Sequence, residues 1–177
     1  MDIVLWRHAE AEDSTPDMDR ELTLKGRKQA EKIAAFLHQH LPLDTRVLVS
    51  PATRTRQTVA AYTEKYTLAP SIAPGASAHA VLQAARWPNG LARHPHPNLP
   101  SEGDGANAAL RDHKTPADGT VLIVGHQPTL GAVAALLLGS AETSLSIKKG
   151  ALWWFSRRAR DDYAQTTLRL VITPDFL

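Results

Sequence analysis

Three short apolar runs, each ending at residues able to do chemistry, constrain this chain more than any other feature. The first, Ile3-Val4-Leu5-Trp6, breaks off at Arg7-His8. The second, "TRVLVS", stops at Ser50-Pro51, with Arg54 and Arg56 close behind. The third, "GTVLIVG", stops at His126-Gln127-Pro128. Branched and aromatic residues in runs of this length suit buried strands. The stretches between them have helical spacing. In "TLKGRKQAEKIAAFLHQHL", Leu24, Ala30, Ile33, Ala34, Leu37 and Leu41 fall near one face, and Thr23 is the expected N-cap. Ser50-Pro51 reads as the start of a second helix, with Ser as cap and Pro at the first helical position, running into "ATRTRQTVAAYTEKY". A short extended piece near 68–73 and a helix around Ala78–Arg86 follow. The third run leads into an apolar helix, "LGAVAALLLG", and "ALWWFS" and "TTLRLVI" read as two late strands joined antiparallel through "RRARDDYAQ".

Strands that alternate with helices predict an α/β fold: a three-layer α/β/α sandwich around a mostly parallel central sheet of about five to six strands. At 177 residues the chain is long enough for one domain with a substantial core, and no linker or internal repeat divides it. The segment 87–105, "WPNGLARHPHPNLPSEGDG", is dense in Pro and Gly and reads as a loop or insertion. His94 and His96 alternate with Pro there, as in an extended loop rather than a metal site.

The absence of cysteine excludes a disulfide framework, thiolate catalysis and sulfur-ligated metal. The apolar helix is too short to span a bilayer, and no basic-then-apolar leader is visible, so a cytoplasmic protein without membrane contact is expected. The net charge of +2 is small and scattered, which favours anionic ligands weakly and does not indicate nucleic acid.

In a parallel sheet the carboxyl ends of strands converge, and open α/β folds bind ligands there. Arg7, His8, Arg54 and His126 would then meet although the sequence separates them widely. Helix N-termini add amide donors and positive potential, and guanidinium forks match phosphate oxygens. Taken one at a time, each residue reads equally as a capping or solvated side chain. The coincidence at three strand ends points to a phosphoryl group.

The set "LWRHAEA", "RELTLKGRKQA", "VLVSPATRTRQT" and "VGHQPTLG", with the tail "KKGALWWF", resembles the histidine phosphatase (phosphoglycerate-mutase-like) superfamily. The compact form, with its Arg-x-Leu-Thr element, is similar to the SixA-type phosphohistidine phosphatases. The resemblance implies that His8 is a nucleophile forming a transient phosphohistidine, and that Arg7, Arg54 and Arg20 hold phosphate oxygens. It implies that His126 donates to the oxygens and stabilises transition-state charge. No cofactor or metal is expected, since arginines supply the charge that a metal ion supplies elsewhere.

Two departures from the family pattern stand out. Ala9 occupies a position that usually carries Gly after the Arg-His pair. Many members also carry a leaving-group acid in the middle third, and here the stretch from Lys65 to Ser101 has no Asp or Glu. Glu102, Asp104 and His79 are weak candidates for that role. Phosphohistidine expels an imidazole, which leaves neutral or protonated near neutral pH without a dedicated acid. The expected function is therefore a signalling phosphatase acting on phosphohistidine in a partner protein, such as a phosphotransfer domain or carrier. The alternatives are a small-molecule phosphomonoesterase with the same pocket and a non-catalytic phosphate-binding module.

Overall fold

The computed structural model describes residues 1–87, 119–160 and 163–177. Its elements run β1 (Asp2–Arg7), α1 (Leu24–His40), β2 (Arg46–Val49), α2 (Thr53–Ala60), β3 (Thr67–Leu68) and α3 (Ala78–Ala84). They continue with β4 (Thr120–Gly125), α4 (Thr129–Leu138), β5 (Leu152–Arg160) and β6 (Tyr163–Ile172). The six strands form one sheet in the order β3-β2-β4-β1-β5-β6. The pairs β3–β2, β2–β4 and β4–β1 are parallel, and β1–β5 and β5–β6 are antiparallel. The mostly parallel α/β architecture expected from the sequence is borne out.

Strand period two explains the layers. Ile3 and Leu5 of β1, with Val121 and Ile123 of β4, face one core, which α3 and α4 cover through Val81, Leu82, Leu130, Val133 and Leu137. Val4 and Trp6, with Leu122 and Val124, face the other core, closed by Ile33, Ala34 and Leu37 of α1 and Val59 of α2. A strand buried on both faces reads as a continuous apolar run, which is why the first and third runs were legible. Each fully buried Ile or Leu contributes about 1.5–3 kcal/mol.

Helix α1 starts as expected, with the Thr23 hydroxyl accepting from the Gly26 amide. Leu24 is a correction: it is 80% exposed, because the first turn presents it to solvent while Gly26 packs inward. A Cβ on Gly26 would collide with the Glu10 carbonyl, and that same carbonyl accepts from the Thr23 amide at 3.0 Å. This close approach presses the segment after β1 onto α1. On its other side Gly150, at φ +73°, donates its amide to the His8 carbonyl (3.0 Å) and accepts from Trp6 Nε1 (3.1 Å).

Helix α2 is a second correction. It begins at Thr53 with Ala52 as N-cap and no side-chain cap bond, and it ends at Ala60. The late strands also run further than expected, to Arg160 and from Tyr163, so most of "RRARDDYAQ" is paired strand. Residues 88–105 of the expected loop, with His94, His96, Glu102 and Asp104, lie outside the described residues. Among the described residues, no helix is long and apolar enough to cross a membrane.

Candidate functional site

Strands β2, β4 and β1 are neighbours, so their carboxyl ends lie side by side. Backbone bonds extend the ladder past them: the His8 amide donates to the Gly125 carbonyl (3.0 Å) and the Ser50 amide to Val124 (3.1 Å). His8 and His126 are both buried, with ring centroids 5.3 Å apart and planes inclined by 52°. His8 Nδ1 lies 2.7 Å from the Ala9 carbonyl. A carbonyl only accepts, so Nδ1 carries the proton and Nε2 keeps its lone pair.

The arginines gather around this pair. Arg54, on the first turn of α2, has a side chain only 5% exposed, and its Nη2 donates to Asp17 Oδ2 at 2.9 Å. Arg7 leaves β1 and donates from Nη1 to the Ile147 carbonyl at 2.6 Å. Arg20 donates from Nε to the Glu12 carbonyl (2.6 Å) and from Nη1 to Asp17 Oδ1 (3.2 Å). Five buried side-chain polar atoms lack a partner among the described residues, Gln127 Oε1 and Thr173 Oγ1 among them, and the other three gather at this site: Arg7 Nε, Arg54 Nε and His126 Nδ1. Native proteins rarely leave such groups orphaned, and these three belong to residues the sequence singled out. Arg56 is exposed, as a solvated first-turn residue would be.

The electrostatics are one-sided. Burial first, then the Ala9 carbonyl bond acting in opposition, then the charges of Arg54, Arg7 and Arg20 set the His8 pKa, bringing it from 6.5 down to about 4. Burial, followed by His8 and Arg54, lowers His126 to about 3, with Asp17 opposing. Both rings are therefore neutral at pH 7. The Asp17 carboxyl is held below its ordinary range by its bonds to Arg54 and then Arg20, so it stays ionised.

Asp17 and Ser50 escaped the sequence reading. Asp17 lies on an exposed 3₁₀ turn, Asp17–Asp19, inside a polar stretch without periodicity, and it bridges Arg20 and Arg54. Ser50 does not cap α2. Its hydroxyl lies 2.6 Å from His126 Nε2, and the residue is fully buried. Ala9 is also fully buried, donates its amide to Thr58 Oγ1 (3.1 Å) and does not have a positive φ, so this position requires no glycine. Thr58 in turn donates to the Arg54 carbonyl (2.6 Å), coupling α2 to the His8 loop. His79 is exposed on the first turn of α3. The N-terminal approach to that helix is tied to α4 by a 2.8 Å bond from Thr129 Oγ1 to the Ala76 carbonyl. Among the described residues, no group of three or more His, Asp or Glu is placed to hold a metal ion.

Residues 3–77 match the sequence model of the histidine phosphatase superfamily, branch 1. The putative phosphohistidine phosphatase SixA from Nakamurella multipartitia is 28% identical, with 98% of this chain and 95% of that one covered and a TM-score of 0.66. The protein histidine phosphatase SixA solved with tungstate is 22% identical, covered at 99% of both chains, with a TM-score of 0.68. A phosphoserine phosphatase of Entamoeba histolytica, solved with phosphoserine, is 14% identical over 99% of this chain and 98% of that one, with a TM-score of 0.65. Below 25% identity the last two show the fold alone. No curated protein sequence matches the chain significantly. Residues 3–77 are thus similar to the histidine phosphatase superfamily, and the fold of the chain as a whole is similar to that of the SixA structures.

Proposed function

We propose that this protein is a phosphatase that removes phosphate from phosphohistidine in a partner protein through a covalent phosphohistidine on His8. One observation carries the reading. A neutral, buried His8 with Nδ1 tied to the Ala9 carbonyl sits beside the guanidiniums of Arg7 and Arg54, each with a buried, unused Nε–H. His8 Nε2 attacks phosphorus, the P–N or P–O bond to the leaving group breaks, and water then hydrolyses the phosphohistidine to inorganic phosphate. Arg7, Arg54 and Arg20 hold the equatorial oxygens, in the role that preorganised charge plays in phosphoryl transfer. With the Ser50 hydroxyl donating to Nε2, His126 keeps its proton on Nδ1, the orphaned atom, and donates it as a hydrogen bond to a phosphoryl oxygen. A neutral imidazole with a pKa of about 3 acts here as a donor and not as an acid.

The substrate class follows from the leaving group. Among the described residues, the carboxylate paired with the site arginines is Asp17, and two guanidiniums keep it ionised, so it has no proton to give. An imidazole departs without such help, whereas an alkoxide does not. The SixA neighbour that is 28% identical lends support to the same substrate class. The test is kcat/KM across phosphoramidates, aryl phosphates and alkyl phosphates. Phosphoramidates and phosphohistidine proteins are expected to react fastest, with aryl phosphates between. A flat series, or a preference for alkyl phosphates, would reveal a proton donor. It would favour a small-molecule phosphomonoesterase, with His79, Glu102 and Asp104 the first positions to replace.

A further inference from the structure

A cavity of about 630 Å³ opens near the amino-terminal ends of β2 and β3, whereas the two histidines lie beyond the carboxyl ends of β1 and β4. It shares no lining residue with the histidine site. Three cations from different segments line it: Arg46 at the start of β2, Lys65 just before β3, and Arg86 just after α3. Thr45, Tyr66 and Thr67 add polar groups, and the lining contains no carboxylate among the described residues. None of the three cations forms an ion pair among the described residues. Arg46 Nη2 donates to the Ala85 carbonyl at 2.5 Å, which fixes the guanidinium beside the end of α3. Burial, and then the charge of Arg86, disfavours the charged form of Arg46, as expected of like charges brought together without a counter-ion.

The backbone supplies an independent sign. Arg86 has φ +54°, and it is the single non-glycine residue with positive φ among those described. It terminates α3 in a left-handed cap, with the Trp87 amide donating to Leu82 and the Arg86 amide to Gln83, each at 2.9 Å. Glycine is the usual residue at this position, because a Cβ is disfavoured there. A strained conformation kept by a charged side chain at a cavity rim is the kind of local cost that a ligand site explains.

We propose that this cavity is a second anion site, separate from the histidine site, that takes a small polyanion bearing two linked phosphates. Three converging cations match the charge of a diphosphate better than that of a monophosphate, and the volume leaves room for an attached group. The probe is inorganic pyrophosphate, titrated calorimetrically into full-length protein whose histidine site is first filled with excess orthovanadate. One-to-one binding is expected, weakening as salt rises. Arg86→Gly and Arg46→Gln should each weaken it about tenfold or more. Arg86→Gly should keep full activity on p-nitrophenyl phosphate and an equal or higher Tm, because glycine suits that φ. Absence of binding to the vanadate-filled protein overturns the proposal, as does equal affinity in Arg86→Gly. Binding that survives Arg86→Gly but vanishes in Arg54→Ala would place the ion among the histidines and overturn it too.

Discussion

Replacing Ser50 by Ala removes one oxygen and leaves the backbone bonds of that residue in place, since its amide donates to Val124 and its carbonyl accepts from Thr55 Oγ1. The lost atom is the partner of His126 Nε2 at 2.6 Å, in a position with no exposure. His126 Nδ1 is already orphaned among the described residues, so the imidazole would have neither nitrogen satisfied by them. Leaving such a buried group unpaired costs about 1–3 kcal/mol. For a chain of this size that corresponds to a fall in Tm of roughly 2–12 °C. If the same interaction fixes the tautomer that donates to the phosphoryl group, its loss in the transition state lowers kcat roughly 5- to 160-fold, with KM little changed. The assay pairs thermal melts with steady-state hydrolysis of p-nitrophenyl phosphate for wild type, Ser50→Ala, His126→Ala and the double variant. In the His126→Ala background, Ser50→Ala should be silent to within about 0.5 kcal/mol. An unchanged kcat in Ser50→Ala, or an equal effect with and without His126, would refute the reasoning.

Asp17→Asn keeps an acceptor for Arg54 but removes the charge, so stability should fall by about 1 kcal/mol, while orthovanadate should inhibit more tightly because a competing anion has left the arginines. Weaker inhibition would mean that Asp17 serves chiefly to orient Arg54. The histidines make a pH prediction with a defined sign. Unfolded His takes up its proton near pH 6.5, whereas folded His8 and His126 wait until about 4 and about 3. Between those values the unfolded state binds more protons, so stability is full above about pH 6.5 and is lost as pH falls toward 4. Urea midpoints at pH 7.5 and 4.5 should therefore diverge in wild type and converge in the His8→Gln, His126→Gln double variant. An equal drop in both proteins would contradict the assignment.

The strand ends were legible because burial on both faces writes a strand as an unbroken apolar run, and the polar residue that follows marks where the sheet stops. Arg7, His8, Arg54 and His126 could be singled out for that reason. Ser50 was misread because Ser-Pro is also the signature of a helix start, and nothing local reveals that a histidine far along the chain takes its hydroxyl. Asp17 left no trace, since an exposed turn has neither periodicity nor apolar spacing. The outer parts of β5 and β6 were read as a connection because their pairing extends past residues with a clear apolar alternation. Arg86 was read simply as the end of a helix, because a positive φ on a non-glycine residue contradicts local preference and can be seen only in the structure.

The central claim is that phosphate passes through His8. Rapid quench of the protein with ³²P-labelled acetyl phosphate or phosphoramidate, followed by peptide mapping, tests it directly. The account predicts a label that is stable to alkali and labile to acid, carried by the peptide containing His8, and absent from a folded His8→Ala protein that has lost activity. Label of the same acid lability persisting in His8→Ala, or turnover surviving that substitution, would contradict it.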